Sequence, residues 1–570
     1  MFKKIFIVFI ACIWLKSSYA QSVLNEEFFQ KEIPAEQVFL HLNSSLLFSG
    51  EKLLYKFYAV NAETQMLSSL SKVGWVLLVN SDKEVVFKHQ LNLKQGQSYS
   101  DFFIPSDLKS GGYKILAYTS WMLNAENNYF QQDIHILNPY QKDNEGIIVK
   151  DIPVSSSGEL KKEGIADLGL NSNKNLYSTR EKVILNFENK TDVFANLSVS
   201  VRRIDSFNKP KLLSSTNFNN LYKAIKWETP KDLIFPEIRG VLIKGKVSSQ
   251  DNLEFKSKEI IISFPGEESQ VNIVSIDSKN EFSFIINNNL RTNELLLQLK
   301  DYFQNDYKIE LLPTPQPDLS FLDFSKPVIQ TGLKDYIIEK STNNQIENAY
   351  AAIKSDRTFF PEPEGYFFNQ ELLKYNLDDY TRFSSIIETF VEVIEFGRVK
   401  KKADGSYNIM VRNKNANGEF TLPALLIVDG VVVQDHDKLI SFEAERIKTI
   451  GLLRSKYFFG PAVYEGVVVV ETKEGDFPQV FKEDFMEATN IITAQNTKKY
   501  YNPNYGNEDL IRIPDYRYQL LWEPSFNLAK KDKEVSFYTS DMMGDFEIIV
   551  EGFTGKGKPV SLKKVFKVAE

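Results

Sequence analysis

From Gln37 to Asn138 the chain alternates short runs rich in Phe, Tyr, Val and Leu with breaks of Gly, Ser and Asn. That spacing is the pattern of a β-sandwich. The runs include Val38-Phe39-Leu40, Leu53 to Val60, Val73 to Val79, Tyr113 to Thr119 and Asp133 to Leu137. Gly111-Gly112 is a turn that sends Tyr113, Ile115 and Ala117 to one face and Lys114, Leu116 and Tyr118 to the other. Apolar side chains stand on both faces.

The 570 residues exceed what one hydrophobic core organises, and predict about three to five units. Residues 1–20 read as a secretory signal peptide: Lys3-Lys4, then an apolar run from Ile5 to Trp14, then Ser18 and Ala20 ahead of cleavage before Gln21. The run is too short to cross a bilayer. The only cysteine, Cys12, lies inside it, so the mature chain would hold no thiol, disulfide or zinc-cysteine site. A lipid-modified Cys12 is the rival reading, and Ile13-Trp14-Leu15 continue the apolar run instead. The net charge of -7 is dispersed, and Lys400-Lys401-Lys402 stands alone, so nucleic acid is not an expected partner.

Four blocks resemble the macroglobulin-type domain that opens many exported bacterial envelope proteins: Gln37 to Leu42, Phe48-Ser49-Gly50-Glu51, Tyr55 to Ala62 and Gly112 to Met122. The resemblance implies a macroglobulin-like sandwich over 21–140. Polar residues 141–175, with Ser155 to Gly158 and Lys161 to Gly164, read as a linker. Arg180 to Val183 and Leu197 to Val201 look macroglobulin-like again, giving a second unit at 176–235. Residues 236–313 resemble the carboxypeptidase-regulatory type of sandwich, although Asn280-Glu281 stands where that family has a glycine. Residues 314–379 read as an extended or helical connector containing Phe360-Pro361-Glu362-Pro363. Tyr380, Phe383, Ile387, Phe390, Val391 and Ile394 then recur at helical spacing, predicting an amphipathic helix from Tyr380 to Ile394 that covers Val467 to Val470.

Between Leu422 and Phe477 the pattern predicts strand, tight turn, strand, helix, strand, loop, strand. Asp429-Gly430 between Leu425 to Val428 and Val431 to Val433 is a two-residue hairpin signal, because both turn positions require positive φ. Glu443 to Ile450 supplies the helix, with Tyr457 to Gly460 and Glu465 to Lys473 as the later strands. Together with Pro423, Arg446-Ile447, Gly460 and Gly466 these residues resemble the plug domain of TonB-dependent outer-membrane transporters, assigned to 380–477. Asp429, Gly430, Gly460 and Gly466 are its expected structural turn residues. Too few residues follow Phe477 for the ~22 tilted strands of a transporter barrel. Residues 478–570 read instead as a C-terminal β-sandwich. The expected class is therefore mostly β and multi-domain, with serial sandwiches plus one α+β plug-like domain.

The search for chemistry returns no catalytic, cofactor or metal site. His41, His89, His135 and His436 lack metal-ligand spacing, no G-x-S-x-G elbow is present, and Gly552 to Lys558 lacks P-loop spacing. Asp429, Asp435 and Asp437 read as solvated turn residues in place of a calcium loop. The expectation is a non-catalytic binding or scaffold protein, periplasmic or associated with the outer membrane, in contact with an outer-membrane protein complex such as a β-barrel, without cofactors. The alternatives are a macroglobulin-type protease inhibitor lacking the family's cysteine-glutamine thioester, or a surface-exported adhesin.

Overall fold

The computed structural model describes residues 33–142, 145–151, 168–189, 194–223, 233–249, 257–266, 270–286, 290, 292–360, 371–415, 421–481, 483–506, 510–529 and 532–570. The signal-peptide reading, with Cys12 and Gln21, lies outside them, as do Ser155 to Gly158, Lys161 to Gly164 and Pro361 to Pro363. The chain is mostly β and divides into two units: residues 1–238, 315–360 and 495–570 form one, and 239–314 and 361–494 the other.

In the first unit, the predicted front sandwich pairs a three-stranded sheet (Glu36–Leu42, Lys52–Asn61, Gln97–Phe103) with a five-stranded one. The latter runs Leu46–Phe48, Phe130–Leu137, Gly111–Tyr118, Val73–Val79, Val85–Asn92. Phe39, Tyr58, Val76 and Ile115 are wholly buried. Leu116 and Tyr118, on the opposite face of their strand, are buried as well, because the segment after Pro315 runs across that face. The Tyr118 hydroxyl donates to the Pro315 carbonyl at 3.2 Å, and a Cβ on Gly112 would meet the Ser325 carbonyl oxygen at 2.0 Å.

The second sandwich overturns two expected boundaries. Lys182–Asn189 and Ala195–Arg203 form where expected, but their partners come from the far end of the chain. Lys182–Asn189 pairs with Lys533–Tyr538, and Ala195–Arg203 lies between Gln519–Leu528 and Gly544–Thr554, which in turn pairs with Pro559–Val568. Leu168–Ser172, within the expected linker, is also a strand of this sandwich. Residues 176–235 and 478–570 are thus not separate domains. The apolar faces of each half close only on the other, through one core containing Val183, Leu197, Val199, Phe537, Ile548 and Phe566. The expected connector belongs here too, where its Lys334–Ala349 helix buries a polar face of Lys340, Ser341, Asn343 and Asn344.

In the second unit, residues 241–311 form two sheets. One is Glu281–Ile286, Val241–Ser249, Tyr307–Leu311, and the other is Val271–Ser275, Glu259–Ser263, Glu294–Leu299, Glu487–Asn490. Asn280 adopts φ 62° at the position where the resembled family has glycine, a conformation that asparagine tolerates better than most residues. Beside this lies a mixed five-stranded sheet ordered Leu373–Asn376, Ile447–Phe459, Ala462–Thr472, Leu425–Val428, Val431–Val432. The Ile447–Phe459 strand corrects the expected helix over Glu443 to Ile450: only Ala444–Arg446 makes a single 3-10 turn, and a short helix sits earlier at Asp437–Ile440. The branched run Ile447 to Leu453 finds a long strand partner in Ala462–Thr472, which outweighs the local helical preference.

The expected helix over 380–394 forms only at Ile386–Glu392, capped by the Ser385 hydroxyl accepting from the Glu388 N–H at 3.2 Å. Its buried face is Ile386, Phe390 and Ile394, whereas Tyr380 and Val391 are exposed. It packs on Val468 and Val470. The opposite face of the same sheet, through Leu425, Ile427, Val467 and Val469, packs on Ile261, Val271 and Ile273.

Candidate functional site

The Asp429-Gly430 turn has φ 46° and 82°, and joins Val428 to Val431 in register. Asp429 is buried, which corrects its reading as a solvated turn residue. Its carboxylate accepts from the Thr472 N–H at 2.8 Å, the Thr472 hydroxyl at 2.6 Å and the Phe477 N–H at 3.1 Å. A single side chain thereby ties the hairpin to the end of the neighbouring strand and to the segment that follows. Replacing Asp429 by alanine should cost about 2 kcal/mol, since two buried N–H groups lose their acceptor; denaturant melts of the full chain check it.

The other expected turn glycines have separate reasons. Gly460, φ 56°, makes the tight turn between the two longest strands of the sheet, where a Cβ would lie 2.1 Å from the Ile273 carbonyl oxygen. Gly466, φ 95°, lies opposite the break in pairing between Leu453 and Lys456, with Val411 against it.

Asp435 and Asp437 do not converge with Asp429. Asp435 accepts from the Asp437 N–H at 3.1 Å, and Asp437 from the Tyr407 N–H at 2.7 Å. His436 is buried with Nδ1 accepting from the Ile409 N–H at 2.9 Å, and burial lowers it to about 4. The remaining histidines lie in the first unit: His41 Nδ1 is 2.6 Å from Ser198 Oγ, His89 Nδ1 2.7 Å from the Tyr55 hydroxyl, and His135 Nε2 3.2 Å from Ser325 Oγ. No group of three metal-ligating side chains occurs among the described residues.

Next to the hairpin opens a cleft of about 270 Å³. It is lined by Val431 and Val433 of the hairpin, Leu296 and Ala488 of the adjoining sheet, and Phe481 and Phe485. Phe481 is held by Phe477 and Phe442, with ring centroids 4.9 and 5.8 Å away. Glu294, Asp435, Lys438 and Glu483 also line the cleft, and Lys438 pairs with Glu483 at 2.9 Å. Such a cleft can desolvate an apolar side chain.

The edge strand Val431–Val432 is not free to accept an added strand. The Val432 N–H donates to Ser263 Oγ at 3.1 Å, and its carbonyl accepts from Gln298 Nε2 at 2.8 Å. Gln434 closes the same flank by donating to the Gln298 side chain at 2.7 Å. Sequence reasoning missed the cleft residues from Phe481 to Ala488; the available signal was an aromatic-rich stretch, Phe477, Phe481 and Phe485, outside any periodic element.

No protein-family model matches the chain, and no curated protein does. Among solved structures it is similar to the alpha-2-macroglobulin of Salmonella reacted with methylamine, at 8% identity and TM-score 0.23 over 94% of this chain and 39% of that one. It is also similar to the native conformation of the E. coli alpha-2-macroglobulin, at 9% identity and TM-score 0.24 over 94% of this chain and 40% of that one. A third is the E. coli adhesin FdeC, at 8% identity and TM-score 0.13 over 46% of this chain and 58% of that one. The chain spans about two fifths of the length of these macroglobulins.

Proposed function

We propose that this chain is a non-catalytic binding protein of the cell envelope, and that the cleft beside the Asp429-Gly430 hairpin seats an apolar side chain of an outer-membrane protein. The observation that carries the reading is the cleft itself, lined by aromatic and aliphatic side chains, with Lys438 and Glu483 paired to each other. The basic, apolar and small-residue order of the first twenty residues supports export. The macroglobulin-like reading of the front and the plug-like reading of 380–477 belong to the same proposal and rest on the sequence blocks that carry them.

Because Leu425 to Val470 builds the sheet that covers the adjoining sandwich, deleting the hairpin region would damage the whole unit. A point substitution in the cleft is the cleaner test. Ala488 lines the cleft and is exposed, so Ala488→Arg fills the cleft without disturbing a core. The full-length chain should recover outer-membrane proteins from solubilised envelopes, and the Ala488→Arg variant should recover the same proteins at least about tenfold less. Equal recovery by both chains would sink the proposal.

A further inference from the structure

The first unit contains a second concavity, of about 200 Å³, where the Lys334–Ala349 helix meets the two sandwiches. Its chemistry is opposite to that of the apolar cleft. The acids on its lining already face cations. Glu51 Oε1 lies 2.7 Å from Arg202 Nη2, Glu347 lies 2.7 Å from Lys354, and Asp356 pairs with Lys52. The second Glu51 oxygen accepts from the Phe48 N–H at 2.7 Å and lies 3.6 Å from the Lys340 ammonium.

What remains unmatched is all of one kind. Arg202 Nε, Asn344 Nδ2 and Trp522 Nε1 belong to lining residues, are buried, and find no acceptor in the protein. Behind them the Lys340 ammonium is fully buried, also without a hydrogen-bond acceptor, packed 4.4 Å from the Phe48 ring centroid and 5.0 Å from that of Tyr518. No lining residue contributes an unmatched acceptor among the described residues. A buried donor without an acceptor costs about 1–3 kcal/mol, so three on the lining of one groove mark where acceptor atoms are missing. The charges agree: Glu51 and Asp205 both face Arg202 and Lys340, and Asp205 also pairs with Lys209, so three cations meet two carboxylates. Tyr500, Tyr501 and Tyr516 complete the walls, giving apolar ring surface next to the donors.

We infer that this groove binds a peptide carboxylate, with the carboxylate oxygens taking the orphaned donors of Arg202, Asn344 and Trp522 and the adjoining residue resting on the tyrosines. Two sources share that chemistry, a chain terminus and an acidic side chain.

The test is calorimetric titration of the full chain with three probes: N-acetylphenylalanine, N-acetylphenylalanine amide and N-acetylglutamic acid α-amide. Binding of the first identifies a terminal carboxylate, and of the third a side-chain carboxylate; the second should not bind. Trp522→Phe keeps the ring and removes its N–H, and Asn344→Leu keeps the volume and removes the amide. Each should weaken the bound acid about tenfold without lowering the unfolding midpoint of the free protein. Equal binding of acid and amide, unchanged affinity in both variants, or no binding of either acid at millimolar concentration would each overturn the inference, the last meaning that water alone satisfies these donors.

Discussion

Replacing Glu51 by leucine is expected to destabilise the first unit by about 3–5 kcal/mol, because it leaves buried Arg202 without its ion-pair partner and removes one of the two carboxylates that face Lys340. Arg202 and Lys340 are both buried, and the same substitution also strips the acceptor from the Phe48 N–H. Burial raises the Glu51 carboxyl, but the fields of Arg202 and Lys340 and its hydrogen bonds outweigh that, and hold it below the usual carboxylate range. A depressed carboxylate contributes stability above its unfolded pKa, lost as pH falls through the folded value. The partner substitution should behave differently. Lys340 makes no hydrogen bond, and burial pushes its ammonium down. Lys340→Met, which keeps the stem and removes the charge, should change stability by less than about 1 kcal/mol. Urea denaturation of the two variants reads the asymmetry directly. Equal losses would mean that the cluster acts as a simple ion pair.

Acidification from pH 7 to pH 5 should weaken both units before their carboxylates begin to titrate. Burial holds His41 near about 3, and His89 and His436 near about 4, against an ordinary 6.5. The unfolded chain therefore takes up protons near pH 6.5, while the folded chain stays neutral until pH 4 or below. Stability from these histidines is present above pH 6.5 and is lost as pH falls toward their folded values, at roughly 1.4 kcal/mol per pH unit for each. At pH 5 that is on the order of 2 kcal/mol per histidine. Glu347, whose carboxyl burial pushes up, works in the opposite direction as it protonates. His436 has a geometric reason to resist protonation, since Nδ1 is the acceptor for the Ile409 N–H. His436→Gln should flatten the pH dependence of the second unit and leave that of the first, which contains His41 and His89, unchanged. Melting profiles that are level from pH 7 to pH 5 would refute the argument.

What was legible in the sequence was local. The front sandwich lies between Glu36 and Leu137 with neighbouring strands close in sequence, so the alternation of Tyr113 to Tyr118 described it well, although Gly111 and Gly112 are strand residues paired with Ile136 and His135 and not the expected turn. The Asp429-Gly430 turn could be read for the same reason, as two residues whose own φ angles decide the outcome. What could not be read was which distant strand covers which face. Val183, Leu185 and Phe187 declare a buried face without naming Phe537 and Val535 as the neighbours that extend it, or Ile548 and Phe566 in the other sheet of the same core. The helix near residue 390 was found with the wrong stripe, because Tyr380 and Phe383 precede the Ser385 cap and never join its periodicity. Neither concavity was visible, since each draws its lining from segments hundreds of positions apart.

The second sandwich has a consequence for the order of events during synthesis. A strand ending at Arg203 has no neighbour on one side until Gln519 emerges, and none on the other until Gly544 does. Residues 239–314 and 361–494 can collapse first, as they form a compact unit of their own, while the earlier half of the sandwich waits with its ladder groups open. Loss of the last strands would therefore not trim a tail. It would leave Ala195–Arg203 as a permanent sticky edge near the middle of the chain, so nonsense truncations after Ala494 should be toxic through aggregation instead of merely inactive.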